Sequence, residues 1–331
     1  MKLLNTIPTN RVVGIDIETV RLEQGFDNLS EEYKSAWEYK NKQDGEIPNY
    51  DDLSDFWEKR SSLYAEFSKV CAVSLTYLDN YGGLICKEFY GCNEEVLLSS
   101  LGVVLNNMVT ASSEYRLAGH ASKFFDYPFL CKRFVINNLD IPTVLDSLHL
   151  KPWEQKNLCT NELWRMGGTG AGSSLQALCT TLKIPISKVD LVGDEVGIAF
   201  YNKEYERIGR YCSYDTIATF NVIRRLKKES IFDFDNVKYI TSYNDSMNIV
   251  EVVVKTPLLE RIYSEKSISD ASGKELLELL GARKKKILKK DKPRLVELLH
   301  KISVETKMFA GDKPEIVQEK LKVVEQLINK I

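Results

Sequence analysis

The stretch Arg11-Val12-Val13-Gly14-Ile15-Asp16-Ile17-Glu18 decides how the chain is read. Its β-branched residues and the alternation after Gly14 predict a strand with Ile15 and Ile17 on one face and Asp16 and Glu18 on the other. Two carboxylates held side by side on a sheet repel each other unless a cation sits between them or one takes a proton, and hard oxygen donors suit Mg²⁺ or Mn²⁺. The wet face of an edge strand carries the same pattern, so the pair needs further acids before it implies chemistry.

Outward from that strand, the pattern is one of mixed α and β structure. Residues 21–69 are charged and aromatic-rich, with helical patches around Glu31–Tyr39 and Tyr50–Tyr64, and read as a helical insertion. Val70–Leu78 and Leu84–Tyr90 flank Asn80-Tyr81-Gly82-Gly83 and predict an antiparallel hairpin. Glu94–Met108 has a helix-period apolar stripe, Arg116–His120 a short strand, and Phe129–Asn137, Ser174–Leu182 and Glu204–Lys228 further helices. An α/β sheet domain over residues 1–230 is expected, followed over 231–331 by a mainly helical appendage. Its basic cluster, Arg283–Arg294, lies between two helical patterns in an order similar to SAP-like nucleic-acid-binding modules; a solvated charged loop is the alternative.

Composition narrows the class. Of 331 residues, 44% are hydrophobic and 28% charged, which excludes a wholly disordered or collagen-like chain. There is no run of 18 apolar residues and no signal-peptide core at the N-terminus, so a soluble, non-membrane, cytoplasmic protein is expected (host cytoplasm if viral). Seven scattered cysteines without a C-x-x-C pair read as reduced thiols, and three histidines are too few for a zinc or His-rich site, leaving carboxylates as the metal ligands. Before Ile231 there are 26 Lys/Arg against 31 Asp/Glu and from it onward 19 against 16, a basic tail on an acidic front.

Two more acids fit the first pair. Asp126, in Phe125-Asp126-Tyr127-Pro128, closes a loop after a strand, where it is either a helix N-cap or a ligand. Tyr211 and Asp215 stand at i and i+4 on one face of the long helix, as a hydrogen-bonded pair or as site residues.

Taken in order, Val12–Thr19, Gly119-His120 through Phe125-Asp126-Tyr127-Pro128-Phe129-Leu130, and Tyr211-Cys212-Ser213-Tyr214-Asp215 resemble the three exonuclease motifs of the DEDD superfamily, Y-x-x-x-D branch. The likeness extends to the stand-alone predicted exonucleases related to the proofreading domain of family B DNA polymerases, through Lys151-Pro152-Trp153-Glu154, Glu162-Leu163-Trp164 and Ser174-Leu175-Gln176-Ala177-Leu178. It covers roughly the first two-thirds of the chain, the size of one ordinary domain.

The resemblance implies an RNase H-like mixed sheet flanked by helices and a 3'-to-5' exonuclease using two divalent cations, Mg²⁺ or Mn²⁺. Asp16, Glu18 and Asp215 would hold one ion, Asp16 and, through water, Asp126 the second, and Tyr211 would orient the attacking water. Two ions roughly 3.5–4 Å apart suit an in-line phosphodiester displacement. DNA with single-stranded or frayed ends is the implied substrate, in proofreading in trans, repair or end processing with replication or repair proteins as partners. RNA trimming by the same fold and a catalytically silent nucleic-acid-binding or scaffold protein are the alternatives. Thr19 and Phe124 or Phe125 would touch the terminal nucleotide, with Phe125 reading equally as a core residue, and Lys284, Lys285 and Lys286 would neutralise phosphate. His120 reads as a structural histidine, and Met166–Ser174 as a surface loop framing the groove. Two positions depart from the family pattern: Ala121 stands where Asn is usual, and Cys159-Thr160-Asn161 where Asp-Thr-Met is common.

Overall fold

The computed structural model describes residues 2–44, 53–147, 149–151, 154–185, 191–244 and 249–253. The chain divides into two compact units, Met1–Ile249 and Val250–Ile331. In the first, a short helix α1 (Lys2–Asn5) leads to strand β1 (Val12–Arg21), followed by helices α2 (Glu31–Asp44) and α3 (Leu53–Arg60), strands β2 (Ser68–Leu78) and β3 (Leu84–Gly91), and helix α4 (Glu94–Ala111). Strand β4 (Arg116–Gly119), helix α5 (Asp126–Ile136), strand β5 (Leu158–Cys159), helices α6 (Thr160–Trp164), α7 (Leu175–Leu182), α8 (Val196–Tyr201) and α9 (Tyr205–Leu226), and strand β6 (Lys238–Asn244) complete it. A last described strand, β7, spans Ile249–Val253.

Six strands of the first unit lie in the order β5-β4-β1-β2-β3-β6. β2 runs antiparallel to both of its neighbours, β1 and β3, while β4 is parallel to β1, β5 to β4 and β6 to β3. This mixed sheet flanked by helices is an RNase H-like α/β fold. The hairpin turn has a local cause: the Asp79 carboxylate accepts the N–H groups of Tyr81 and Gly83, each at 2.8 Å, and Gly82 supplies a φ of +82°.

Two apolar layers follow from the period-2 alternation of the strands. Val13, Ile15, Ile17, Val73, Leu75 and Phe89 pack under Leu97, Leu98, Leu101 and Leu105 of α4 and Leu130 and Phe134 of α5. On the opposite face, Val12, Cys86 and Ala118 pack under Leu178 of α7 and Ile217, Phe220 and Ile223 of α9. Gly14 lets α9 approach that face, because a Cβ there would lie 3.1 Å from the Thr216 carbonyl oxygen and 3.2 Å from its methyl group.

The segment between β1 and β2 builds its own core. Trp37, Phe56 and Trp57 are fully buried, and the Trp37 ring stands 5.0 Å from Phe67, 5.2 Å from Phe56 and 5.3 Å from Trp57.

Beyond Lys228 the first unit runs on to Ile249, and Lys238–Asn244 of β6 pairs in parallel with Ile85–Gly91 of β3. The basic cluster Arg283–Arg294, with Lys284, Lys285 and Lys286, lies outside the described residues. No helix among the described residues is long and apolar enough to cross a membrane.

Candidate active site

β1 delivers the first two acids as its alternation predicts. Ile15 and Ile17 are buried on the α4/α5 face, while Asp16 and Glu18 are half-buried on the other. Their carboxylate oxygens and the Cys212 sulfur all lie within 4.8 Å of one another. The strand backbone is fastened by two buried thiols: Cys212 donates to the Asp16 carbonyl at 3.3 Å and Cys71 to the Glu18 carbonyl at 3.4 Å.

Asp126 arrives from the β4–α5 loop. β4 pairs with β1 only as far as Gly14, and beyond that rung the Asp126 carboxylate accepts the backbone N–H of Ile17 as well as its own. Asp126 is the first residue of α5 and Phe125 holds the N-cap position, so the acid is not the cap. The helix also starts three residues before the expected Phe129, taking in the acid and Pro128. Asp215, half-buried on α9, accepts a hydrogen bond from the hydroxyl of Tyr211 one turn earlier.

The electrostatics report crowding without compensation. Burial first, then repulsion from Glu18, Asp126 and Asp215, holds Asp16 well above the ordinary carboxylate range. Glu18 is raised likewise, by burial and then by Asp215 and Asp126. Burial lifts Asp126 to about 7 and Asp215 to about 6, the latter against the bond from Tyr211. No lysine or arginine among the described residues contributes to any of these four shifts. Four oxygen-donor side chains with no cationic partner fit a hard divalent cation, which supplies the missing positive charge. The tyrosine hydroxyl is pushed up by burial and then by Asp215, Glu18 and Asp16, so it remains protonated and can donate.

The remaining candidates separate. Thr19 spends its hydroxyl on the Ser62 carbonyl at 2.8 Å, beside a register shift between Glu18 and Thr19. Phe124 is 74% exposed two residues before Asp126, whereas Phe125 packs against the core and stands 5.2 Å from Phe129. His120 has both ring nitrogens engaged at 2.9 Å, by the Thr160 hydroxyl and the Ser173 carbonyl, and burial lowers its pKa. It therefore anchors the end of the exposed Met166–Gly172 loop. Sequence reasoning missed Cys71, Cys212 and Ser62. For Cys212 a signal existed, since the residue after Tyr211 turns towards the strand; Ser62 acts through its backbone and leaves none.

The chain matches a family model described as a predicted 3'-5' exonuclease related to the exonuclease domain of PolB, over residues 61–260. That is more than half of its length. The chain belongs to this family of predicted exonucleases. The matched stretch contains Asp126, Tyr211 and Asp215, and the fold brings them to Asp16 and Glu18, which precede it. No curated protein matches the chain.

Proposed function

We propose that the chain is a metal-dependent 3'-5' exonuclease that shortens DNA from single-stranded or frayed 3' ends. The observation that supports this most is the convergence of Asp16, Glu18, Asp126 and Asp215, all with raised pKa values and no cationic partner among the described residues, on a site beside the protonated hydroxyl of Tyr211. Asp16, Glu18 and Asp215 would hold one Mg²⁺ or Mn²⁺ ion, and Asp16 with Asp126, through water, a second. Bound divalent ions would lower the pKa of a water and stabilise negative charge on the departing 3'-oxygen.

The chain's own residues then orient the reaction. Tyr211 spends its one O–H on Asp215, which fixes the ring, and its oxygen would accept a hydrogen bond from the attacking water, orienting it without taking its proton. Asp126 and Glu18, fastened through the β1 backbone, keep the ligand oxygens preorganised. Proofreading in trans, repair and end processing all consume this activity, with replication or repair proteins as partners.

The test incubates 5'-labelled single-stranded DNA, and a ribo-oligomer of the same sequence, with the wild type and Asp16→Ala in Mg²⁺ or Mn²⁺, with EDTA controls. Stepwise shortening from the 3' end that needs both metal and Asp16 supports the reading. Equal or faster shortening of the ribo-oligomer moves the substrate to RNA. Intact label on both under every metal removes the nuclease reading.

A further inference from the structure

The turn that closes the helical insertion, Arg60-Ser61-Ser62-Leu63, is bonded to Thr19, the residue that follows Glu18 on β1. It is fastened from three sides. Thr19, next to Glu18, donates to the Ser62 carbonyl at 2.8 Å, and the fully buried Ser61 donates its hydroxyl to the Trp57 carbonyl. Two residues past the turn, the Ala65 carbonyl accepts from Arg133 of α5 at 2.7 Å, the helix whose first residue is Asp126. The turn is thus tied both to the strand bearing Asp16 and Glu18 and to the helix bearing Asp126.

What this rigid turn offers to solvent is unlike the surface around it. Leu63 is 44% exposed although the aromatic core of Trp37, Phe56 and Trp57 lies directly behind the segment. Arg60 is half-buried and has no ion-pair or hydrogen-bond partner among the described residues, whereas the neighbouring Lys59 is paired with Asp55 at 2.9 Å. A second exposed apolar side chain, Phe124, stands two residues before Asp126. An apolar side chain and an uncommitted guanidinium three residues apart match the two chemistries of a nucleotide, a base with apolar faces and an anionic phosphate.

We infer that this turn is a substrate-binding element, in which Leu63 contacts the base of the 3'-terminal nucleotide and Arg60 the phosphate of the nucleotide next to the scissile one. This rests on the proposed exonuclease reading and extends it to residues outside the metal-holding acids. Both positions can be substituted without opening the core, since Leu63 is exposed and Arg60 half-buried, whereas Trp37, Phe56, Trp57 and Ser61 of the insertion are fully buried.

The experiment measures steady-state shortening of a labelled single-stranded oligodeoxynucleotide in Mn²⁺, with binding of the same oligomer followed by fluorescence anisotropy in EDTA. Arg60→Gln is expected to raise KM about 10-fold and to reduce the slope of log affinity against log salt by roughly 0.7, the loss of one phosphate contact on a single strand. Arg60→Lys restores the slope. Leu63→Ala raises KM roughly 5-fold with an unchanged salt slope, because the lost contact is apolar. Lys59→Gln, one residue away and already paired, leaves both quantities alone. Wild-type KM and salt slope in Arg60→Gln, or wild-type KM in Leu63→Ala, overturn the inference while leaving the nuclease reading intact. A wild-type chain that neither shortens nor binds the oligomer removes both.

Discussion

Asp126, the first residue of α5, sets its carboxylate on the backbone N–H of Ile17, the residue between Asp16 and Glu18. This one bond satisfies a strand donor beyond the end of β4 and brings a third acid to the pair on β1. Burial without a compensating side-chain cation among the described residues is the cost, and it makes the site a source of instability that depends on pH.

In EDTA, the protein is expected to lose stability as pH rises through about 6 to 7. Asp126 lies at about 7 and Asp215 at about 6 in the folded chain, and both titrate near 4 when unfolded. Because the folded values are the higher ones, their contribution is fully present below about pH 4 and is lost as pH rises through the folded pKa values. Asp126→Asn keeps an acceptor for Ile17 but cannot ionise, so its Tm in EDTA should exceed that of the wild type by a few degrees near pH 8, with the gap narrowing as pH falls and closing below about pH 4. Added Mn²⁺ should raise the wild-type Tm more at the higher pH. Thermal melts of the two proteins across that range check this, and parallel curves would count against it.

Tyr211→Phe should lower kcat about 10- to 100-fold with little change in KM, because the lost hydroxyl orients rather than binds. Burial and the neighbouring Asp215, Glu18 and Asp16 keep that hydroxyl protonated through neutral pH. The pH–rate profile of the variant should therefore retain the wild-type shape on its basic side. A basic limb that disappears in Tyr211→Phe would show that the tyrosine titrates after all.

Much of this site was legible in the sequence because its parts obey simple periods. Asp16 and Glu18 follow from strand alternation, and Tyr211 and Asp215 from helical spacing. β6 was not legible for an equally physical reason. Its residues Lys238, Ile240 and Ser242 alternate with Tyr239, Thr241 and Tyr243, so neither face is apolar, and Thr241 is buried because it donates at 2.7 Å to the carboxylate of Glu88. That carboxylate also accepts from Ser213 of α9 at 2.7 Å, a contact 125 residues apart that no local pattern announces. The fastening of Thr19 to Ser62 was hidden likewise, since a backbone carbonyl has no residue type.

Arg133→Met should destabilise the fold by about 3–5 kcal/mol, the cost of leaving a buried carboxylate without its cation. Arg133 of α5 and Glu94 of α4 form a two-pronged ion pair, with Nε to Oε1 at 2.8 Å and Nη2 on Oε2, and both side chains are buried. Glu94 also accepts the Val70 N–H at 2.6 Å and the Asn137 amide at 2.9 Å. The double variant Arg133→Met/Glu94→Leu should recover only part of the loss, since those two donors would then be orphaned. Urea midpoints with unchanged m-values report the effect, and a loss under about 1 kcal/mol for the single variant would show that the pair does not hold α5 in place.

Ala121 is expected to be a point of strain that substitution relieves. Its φ of +59° lies in the left-handed region, where a Cβ-bearing residue other than Asn or Asp costs roughly 1–2 kcal/mol. Its carbonyl closes the turn that leads to Asp126 by accepting the Phe124 N–H at 3.1 Å, so the conformation is imposed by the loop that delivers the acid. Asn, usual at this position in the resembled family, tolerates that φ, and Gly does so without adding a polar group. Both Ala121→Asn and Ala121→Gly should therefore raise Tm by about 2–4 °C. Activity separates the two remaining roles of the position. If Ala121→Asn is faster on single-stranded DNA than Ala121→Gly at equal stability, the amide adds a contact to substrate or water that this chain lacks. If the two variants shorten DNA at the wild-type rate, the position serves the backbone alone, and if neither is stabilised, the turn is not strained.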